Sequence, residues 1–302
     1  MSGGPRSTDP QPLTSHRAKL GESPVWSERD RTLYWVDVDG RSIQALRWGD
    51  DEPEVWPMPG RPSCVALTAE PGVFVVGMGA GLIEYRAATG EWDEIVALER
   101  TAGVRMNDGR PDAQGRMWIG SMDEREPDEA KPPAGHLFCV DTEGGIRTLV
   151  DRVATSNGLA FSPDQRTMYW ADTQQRVVYT FDYDVDTGQA HGKRAWFDLA
   201  ALPGKPDGAC VDADGCYWLA CVYGWALIRI TPGGRLDRSI DLPVEKPSMP
   251  AFAGPDFGTL VVTSISSGGR RPAAPGQPEA GAVLALDVGV TGLPEPLCRV
   301  RV

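Results

Sequence analysis

The chain has 302 residues, with 42 Asp and Glu against 30 Lys and Arg and a formal charge of −12. That balance argues against a nucleic-acid partner, because phosphate-backbone affinity rests on clustered Lys and Arg, and no apolar run is long enough for a membrane-spanning helix. The length suffices for a substantial core without disulfides, and the 35 Gly and 26 Pro describe a chain that turns often. Residues 1–12 are polar and Pro-rich, without the apolar centre of a signal peptide, and read as a disordered tail. From Glu22 the sequence ESPVWSERDRTLYWVDV reads as a strand, a tight turn and a returning strand that carries an aromatic pair. The figure returns, weakly, at Cys64 as CVALTAEPGVFVVGMG. It returns at Asn107 as NDGRPDAQGRMWIGSMD, at Asn157 as NGLAFSPDQRTMYWADT and at Asp207 as DGACVDADGCYWLAC, then weakly again at Met249 as MPAFAGPDFGTLVVTS.

Each copy is followed by a third strand: Ser42–Arg47, Gly81–Arg86, Gly135–Val140, Val177–Tyr183, Ala226–Ile230 and Ala282–Leu286. A turn and a more variable fourth strand come next. Helical periodicity is nearly absent. Four strands per unit, six units, at intervals of 42 to 50 residues predict an all-β chain: a six-bladed β-propeller with four-stranded antiparallel blades, a single domain over residues 13–302. Two sandwiches would not explain so constant an interval. Ring closure calls for a strand near Leu13–Leu20 to complete the blade built by the C-terminal strands, and the last strand, near Pro296–Val302, suits that scheme. The six Cys, at 64, 139, 210, 216, 221 and 298, form no Cys-x-x-Cys pair and sit mainly in apolar runs. They read as reduced, packed thiols of a cytoplasmic protein. The His residues at 16, 136 and 191 are too scattered for a His-rich zinc site.

The repeat also aligns polar positions. Every first strand begins at the same end of the channel, so residues far apart in sequence become neighbours near the axis. Four copies carry an oxygen-bearing side chain at the start: Glu22, Asn107, Asn157 and Asp207. One such residue is an ordinary turn former; four in register form a nest of hard oxygen donors suited to Ca²⁺, Mg²⁺ or Mn²⁺. Without a cation, Glu22 and Asp207 would meet as like charges. The Trp residues at 35, 118, 170 and 218 recur on the second strand and are expected to pack between blades. Two long connections, residues 123–134 and 266–281, rim the channel at the ligand end.

The segments Leu20-Gly21-Glu22-Ser23-Pro24-Val25-Trp26, Arg105-Met106-Asn107-Asp108-Gly109, Ser156-Asn157-Gly158-Leu159 and Pro206-Asp207-Gly208 resemble, in order and spacing, the regucalcin (senescence marker protein)/gluconolactonase family of sugar lactonases. The resemblance implies one divalent cation on the axis, Ca²⁺ foremost with Zn²⁺, Mn²⁺ or Mg²⁺ as alternatives, held by Glu22, Asn157 and Asp207. It implies Asp207 as general base, and Arg105 and Asn107 as residues holding the substrate's hydroxyls. Glu124 is the candidate for a further carboxylate contact to substrate, with Arg125 as the alternative in that register. The expected reaction is metal-dependent hydrolysis of a sugar lactone to the aldonic acid by a monomer or small homo-oligomer, with no nucleic acid or membrane partner. Asp108 is expected to orient backbone rather than to bind metal. Two rivals stand beside this reading: a non-enzymatic calcium-binding or regulatory propeller, and an arylesterase- or organophosphatase-like propeller hydrolase, which the scattered His residues disfavour.

Overall fold

The computed structural model describes residues 7–125 and 131–301. Its strands form six antiparallel sheets of four, each a blade, and the described residues contain no helix. In blades 1 to 5 the strands follow chain order from the axis outward. The innermost strands are Gly21–Ser27, Pro62–Leu67, Val104–Pro111, Ser156–Phe161, Lys205–Val211 and Pro247–Ala253. Each touches its two neighbours around the ring, including Gly21–Ser27 against Pro247–Ala253, which closes it.

The inner strands are buried almost throughout, whereas the outermost ones, such as Glu91–Ala97 and Leu236–Asp241, face water and carry the charge. Adjacent blades meet through apolar layers. Tyr34 and Val36 of blade 1 pack on Val65 and Phe74 of blade 2, for example. Trp35, Trp118, Trp170 and Trp218 occupy the expected places on second strands and are fully buried. Each contributes roughly 2–3 kcal/mol by area. In two blades the indole Nε1–H donates to a buried Asp at the preceding turn, Trp118 to Asp112 at 3.0 Å and Trp218 to Asp212 at 2.8 Å. All six cysteines are buried, free thiols.

Closure differs from expectation in two respects. The outermost strand of blade 6 is Gln11–Pro12, which pairs with Leu284 and Ala285, so the closing strand comes from the segment read as tail. Leu13 N–H continues the pairing to Val283 O at 2.8 Å. Residues 1–6 of that segment lie outside the described residues. The last residues do not join this blade. Cys298 instead bridges Thr68 in parallel, and Arg299 N–H donates to Gly115 O at 2.9 Å. Cys298 and Val300 are buried against Cys64, Met106, Met117 and Ile119 of blades 2 and 3. The physical reason is that Gln11–Pro12 already occupies the free edge of blade 6, while the far end of the seam between blades 2 and 3 offers an apolar cleft.

One irregularity recurs in every blade. The pairing of first and second strands shifts register between Glu22 and Val25, Pro62 and Cys64, Met106 and Gly109, Asn157 and Ala160, Pro206 and Ala209, and Pro247 and Pro250. A bulge adds a residue to one strand and re-aims its side chains. Here it sits at the strand position where Glu22, Asn107, Asn157 and Asp207 fall.

Candidate metal and catalytic centre

The bulges turn these side chains into a cavity of about 1280 Å³ at the channel mouth, lined by Glu22, Asn107, Asn157 and Asp207 together with Arg105 and Glu124. The sequence-predicted residues are therefore brought together, from blades 1, 3, 4 and 5.

Two carboxyl groups define the floor. Asp207 is buried, and Glu22 borders the cavity in a half-buried position. Both are held well above the ordinary carboxylate pKa, by burial first and then by neighbouring negative charge: Asp207 and Asp108 act on Glu22, and Asp108 acts on Asp207. Asp108 is raised for the same reason, burial, with Arg110 opposing it. Asp108 does orient backbone, because its Oδ2 accepts Leu159 N–H at 2.9 Å; its Oδ1 is buried without a hydrogen-bond partner among the described residues. Among the described residues neither Glu22 nor Asp207 forms an ion pair. Glu22 Oε2 accepts Ser23 N–H at 3.2 Å, and Ser23 carries a positive φ of 51° imposed by the bulge. Arg105 offsets part of the rise at Glu22, too little to outweigh burial and like charge, and buried carboxylates in that state are costly. Together with the amide oxygen of Asn157, they form an all-oxygen donor set that fits a hard divalent cation.

Asn157 is fixed from both sides. Its Nδ2 donates to Thr173 Oγ1 at 2.8 Å, and Thr173 Oγ1 donates to Pro206 O at 2.9 Å. Its Oδ1 accepts Asn107 Nδ2 at 3.1 Å. Asn107 also donates to Ser156 O at 2.9 Å and accepts Arg105 Nη1 at 3.2 Å. Both amide hydrogens of Asn107 are thus committed within the protein, leaving a substrate one lone pair of Oδ1 rather than a donor and an acceptor.

Arg105 is buried. Its Nε donates to Glu124 Oε1 at 2.9 Å and its Nη1 to Met106 O at 2.8 Å, while Nη2 has no protein hydrogen bond among the described residues. Burial lowers the Arg105 pKa, against the support of Glu124. Burial alone would raise Glu124, but Arg105 and Arg61 hold it below the ordinary carboxylate value. Arg61 donates to both Glu124 oxygens at 3.0 Å and reaches Asp39 at 2.8 Å. Glu124 is therefore the residue beside Arg105, whereas Arg125 folds back onto Asp123, with Nη2–Oδ2 at 2.6 Å. Of the loop 123–134, residues 126–130 lie outside the described residues.

Three site-shaping residues escape the repeat reading. Arg61 sits on a connection between blades. Asp37 accepts the N–H groups of Lys19, Leu20 and Gly40, and Asp172 accepts those of Ala154, Thr155 and Gln174. Each Asp ties down the segment that leads into a candidate ligand, Glu22 or Asn157. Their signal is visible in Tyr34-Trp35-Val36-Asp37 and Tyr169-Trp170-Ala171-Asp172, which lie at the same interval after Glu22 and Asn157.

The fold and this centre define a six-bladed propeller whose axis carries two carboxyl groups and an amide beside an arginine-lined cavity. Residues 20–266 match the family described as SMP-30/Gluconolactonase/LRE-like region, and the chain belongs to that family. It is 36% identical over 281 residues to a 6-deoxy-6-sulfogluconolactonase of Pseudomonas putida, covering 92% of this chain and 94% of the relative. It is 33% identical to an L-arabinolactonase of Azospirillum brasilense, covering 93% of this chain and 92% of the relative. Its fold superposes on the crystal structure of a calcium-binding protein, regucalcin, from Agrobacterium tumefaciens, with a TM-score of 0.88 and 28% identity over 98% of this chain and 99% of that one.

Proposed function

We propose that the chain opens a sugar lactone to its aldonic acid, with one divalent cation, calcium by preference, held on the axis by Glu22, Asn157 and Asp207. Lactone hydrolysis itself is the activity named for its relatives along nearly their whole length, and the chain is a lactone-hydrolysing enzyme of the carboxylic-ester class. The observation that carries the finer reading is the convergence of buried Asp207 and half-buried Glu22, both held above the ordinary carboxylate pKa by burial and like charge, beside Asn157 and Arg105. When bound, the cation supplies Lewis-acid polarisation of the lactone oxygen and neutralises the carboxylates.

The protein's own groups supply the rest. Asp207 accepts the proton of the attacking water, its carboxyl being held at the floor of the cavity. Arg105 offers its uncommitted Nη2 to a substrate hydroxyl, its other nitrogens being locked by Glu124 and Met106, so its orientation is set before binding. Asn107 holds Asn157 in place and presents its remaining lone pair. The six buried thiols suit a reducing compartment, and we place the enzyme in the cytoplasm.

The test is acid release from a panel of aldonolactones, measured by pH-stat after chelation and then with Ca²⁺, Zn²⁺, Mn²⁺ or Mg²⁺ restored in turn. Activity should vanish on chelation and return with the metal. Asp207→Ala should lose at least about a thousandfold in rate with an unchanged circular dichroism spectrum. Wild-type turnover by the chelated enzyme would overturn the cation's role, and an active Asp207→Ala would overturn the base. Metal binding without turnover of any lactone would favour a calcium-binding regulatory propeller.

A further inference from the structure

One residue at the cavity mouth breaks the pattern of its repeat. In blades 1, 4 and 5 the last pairs of the second and third strands are Asp37 with Ser42, Asp172 with Val177 and Cys221 with Ala226. Each leaves a connection of the same length, and its second residue, Asp39, Gln174 or Tyr223, lines the cavity. The last residue of the connection, Arg41, Arg176 or Trp225, has a positive φ of 54°, 59° or 57°, so the three turn alike. Of the second residues, Tyr223 differs in being left-handed as well, with a φ of 65°. A bulky side chain is strained at such a φ, where glycine or asparagine fits the backbone better. Backbone strain of this kind clusters at ligand sites, where it secures the position of a side chain.

The ring stands beside the proposed base and is held from behind. Val222 pairs with Lys205 and Cys221 with Pro206, so Tyr223 continues the strand next to Asp207 towards the mouth. The Arg271 guanidinium lies over the ring, 4.6 Å from its centroid. Glu245 holds that guanidinium at 2.6 Å, and the fully buried Lys246 donates Nζ to Arg271 O at 2.6 Å. Burial raises the Tyr223 phenol above its ordinary pKa, with Arg271 opposing and Asp207 adding to the rise, so the side chain is neutral near pH 7. Tyr223 packs against the apolar cluster that contains Leu20, Val222 and Ile265, and all four line the cavity. Leu20, Val222 and Ile265 are buried, whereas Lys19, Arg41 and Arg270 of the same three blades, 1, 5 and 6, are exposed. An apolar strip therefore lies deeper than these rim charges. The contacts between inner strands place blade 6 across the ring from blade 3, which carries Arg105 and Asn107.

We propose that Tyr223 is a specificity-determining residue: its ring and the adjoining strip take the C–H surface of the bound lactone, while Arg105 takes hydroxyls from the other side. The proposal rests on the lactonase reading above and names the residue that selects among its substrates. A sugar lactone has surfaces rich in hydroxyl and surfaces rich in C–H. An epimer that turns a hydroxyl towards the strip loses that group's water without gaining a partner. An aromatic ring at this position therefore sorts lactones by stereochemistry, whereas Asp39 and Gln174, at the equivalent positions of blades 1 and 4, present polar groups.

The test measures KM and kcat separately over a panel of epimeric aldonolactones, with the divalent cation saturating, for the wild type, Tyr223→Phe, Tyr223→Ala and Tyr223→Asn. Loss of the ring should raise KM for the best lactone about five- to tenfold and leave kcat within about threefold. It should also narrow the spread of kcat/KM between the best and worst epimers by about tenfold. Tyr223→Phe keeps the ring and should keep the wild-type KM and spread. Tyr223→Asn suits the left-handed backbone and so covers the case in which Tyr223→Ala does not fold. Its circular dichroism spectrum and its calcium affinity, read by titration calorimetry, should match the wild type. Unchanged KM and spread in Tyr223→Asn would overturn the proposal and leave the lactonase reading intact, as would a Tyr223→Phe enzyme equally impaired. A rise in KM matched by a loss of calcium affinity would show Tyr223 acting through the fold of the site alone, and would overturn it too. Hydrolysis of no lactone by the wild type would overturn both.

Discussion

A buried charge is tolerated when something of opposite sign replaces the water it lost, and at Glu22 the like charges of Asp207 and Asp108 outweigh that of Arg105. That arrangement is costly in the metal-free fold, and the cation proposed for the site would relieve it. Glu22→Gln should raise the thermal midpoint of the chelated protein by about 2 °C, equivalent to about 1 kcal/mol, and weaken calcium binding more than about tenfold. Scanning calorimetry with and without calcium reads both effects; a variant destabilised in chelator would contradict the electrostatic account. Glu22, Asn157 and Asp207 are legible from sequence because each opens an equivalent strand, so a linear register converts to a spatial one. The state of Asn107 is not legible that way. Its two donors are spent on Ser156 and Asn157, and only the neighbouring blade's backbone reveals this. Arg61 is invisible for a related reason: it lies between repeats, and its partners Asp39 and Glu124 come from two other blades.

At the scale of the element, each inner strand carries the same bulge, and the approach to it in blades 1 and 4 is held by a carboxylate at the end of the second strand. Asp172 accepts three backbone N–H groups, so Asp172→Ala leaves them to find water or remain unpaired. The cost should be about 3 kcal/mol in urea unfolding, accompanied by weaker calcium binding because the segment before Asn157 loses its anchor. A loss of stability with unchanged affinity would show that the segment is held by packing alone. The repeated Tyr-Trp-x-Asp sequence carries this device in plain view, and its meaning emerges only when the Asp is seen to reach back to the segment entering its own blade. The third strands of blades 1 to 5 fall where the short apolar runs put them. That of blade 6 is shorter than expected, Leu284–Leu286, because a strand buried on both faces is marked by its apolar run alone. The closing strand leaves no such imprint: Gln11–Pro12 is two residues at an edge, too short for any periodicity.

At the scale of the whole molecule, the ring is fastened at two places by the two ends of the chain. Gln11–Pro12 completes blade 6, and Cys298 and Val300 seal the seam of blades 2 and 3. A chain beginning at Leu13 should lose about 3–5 kcal/mol through the broken edge pairing, a fall on the order of 5 °C in midpoint. An unchanged midpoint would mean that the blade 6 edge closes without that strand. The closure has a temporal meaning as well. During synthesis Glu22 leaves the ribosome long before Asp207, and the strand that fastens the ring pairs with Leu284 and Ala285, near the end of translation. The innermost strands of blades 1 and 6 meet at the same seam, so Glu22 and Asp207 take their final places around a ring that only the last-made blade closes.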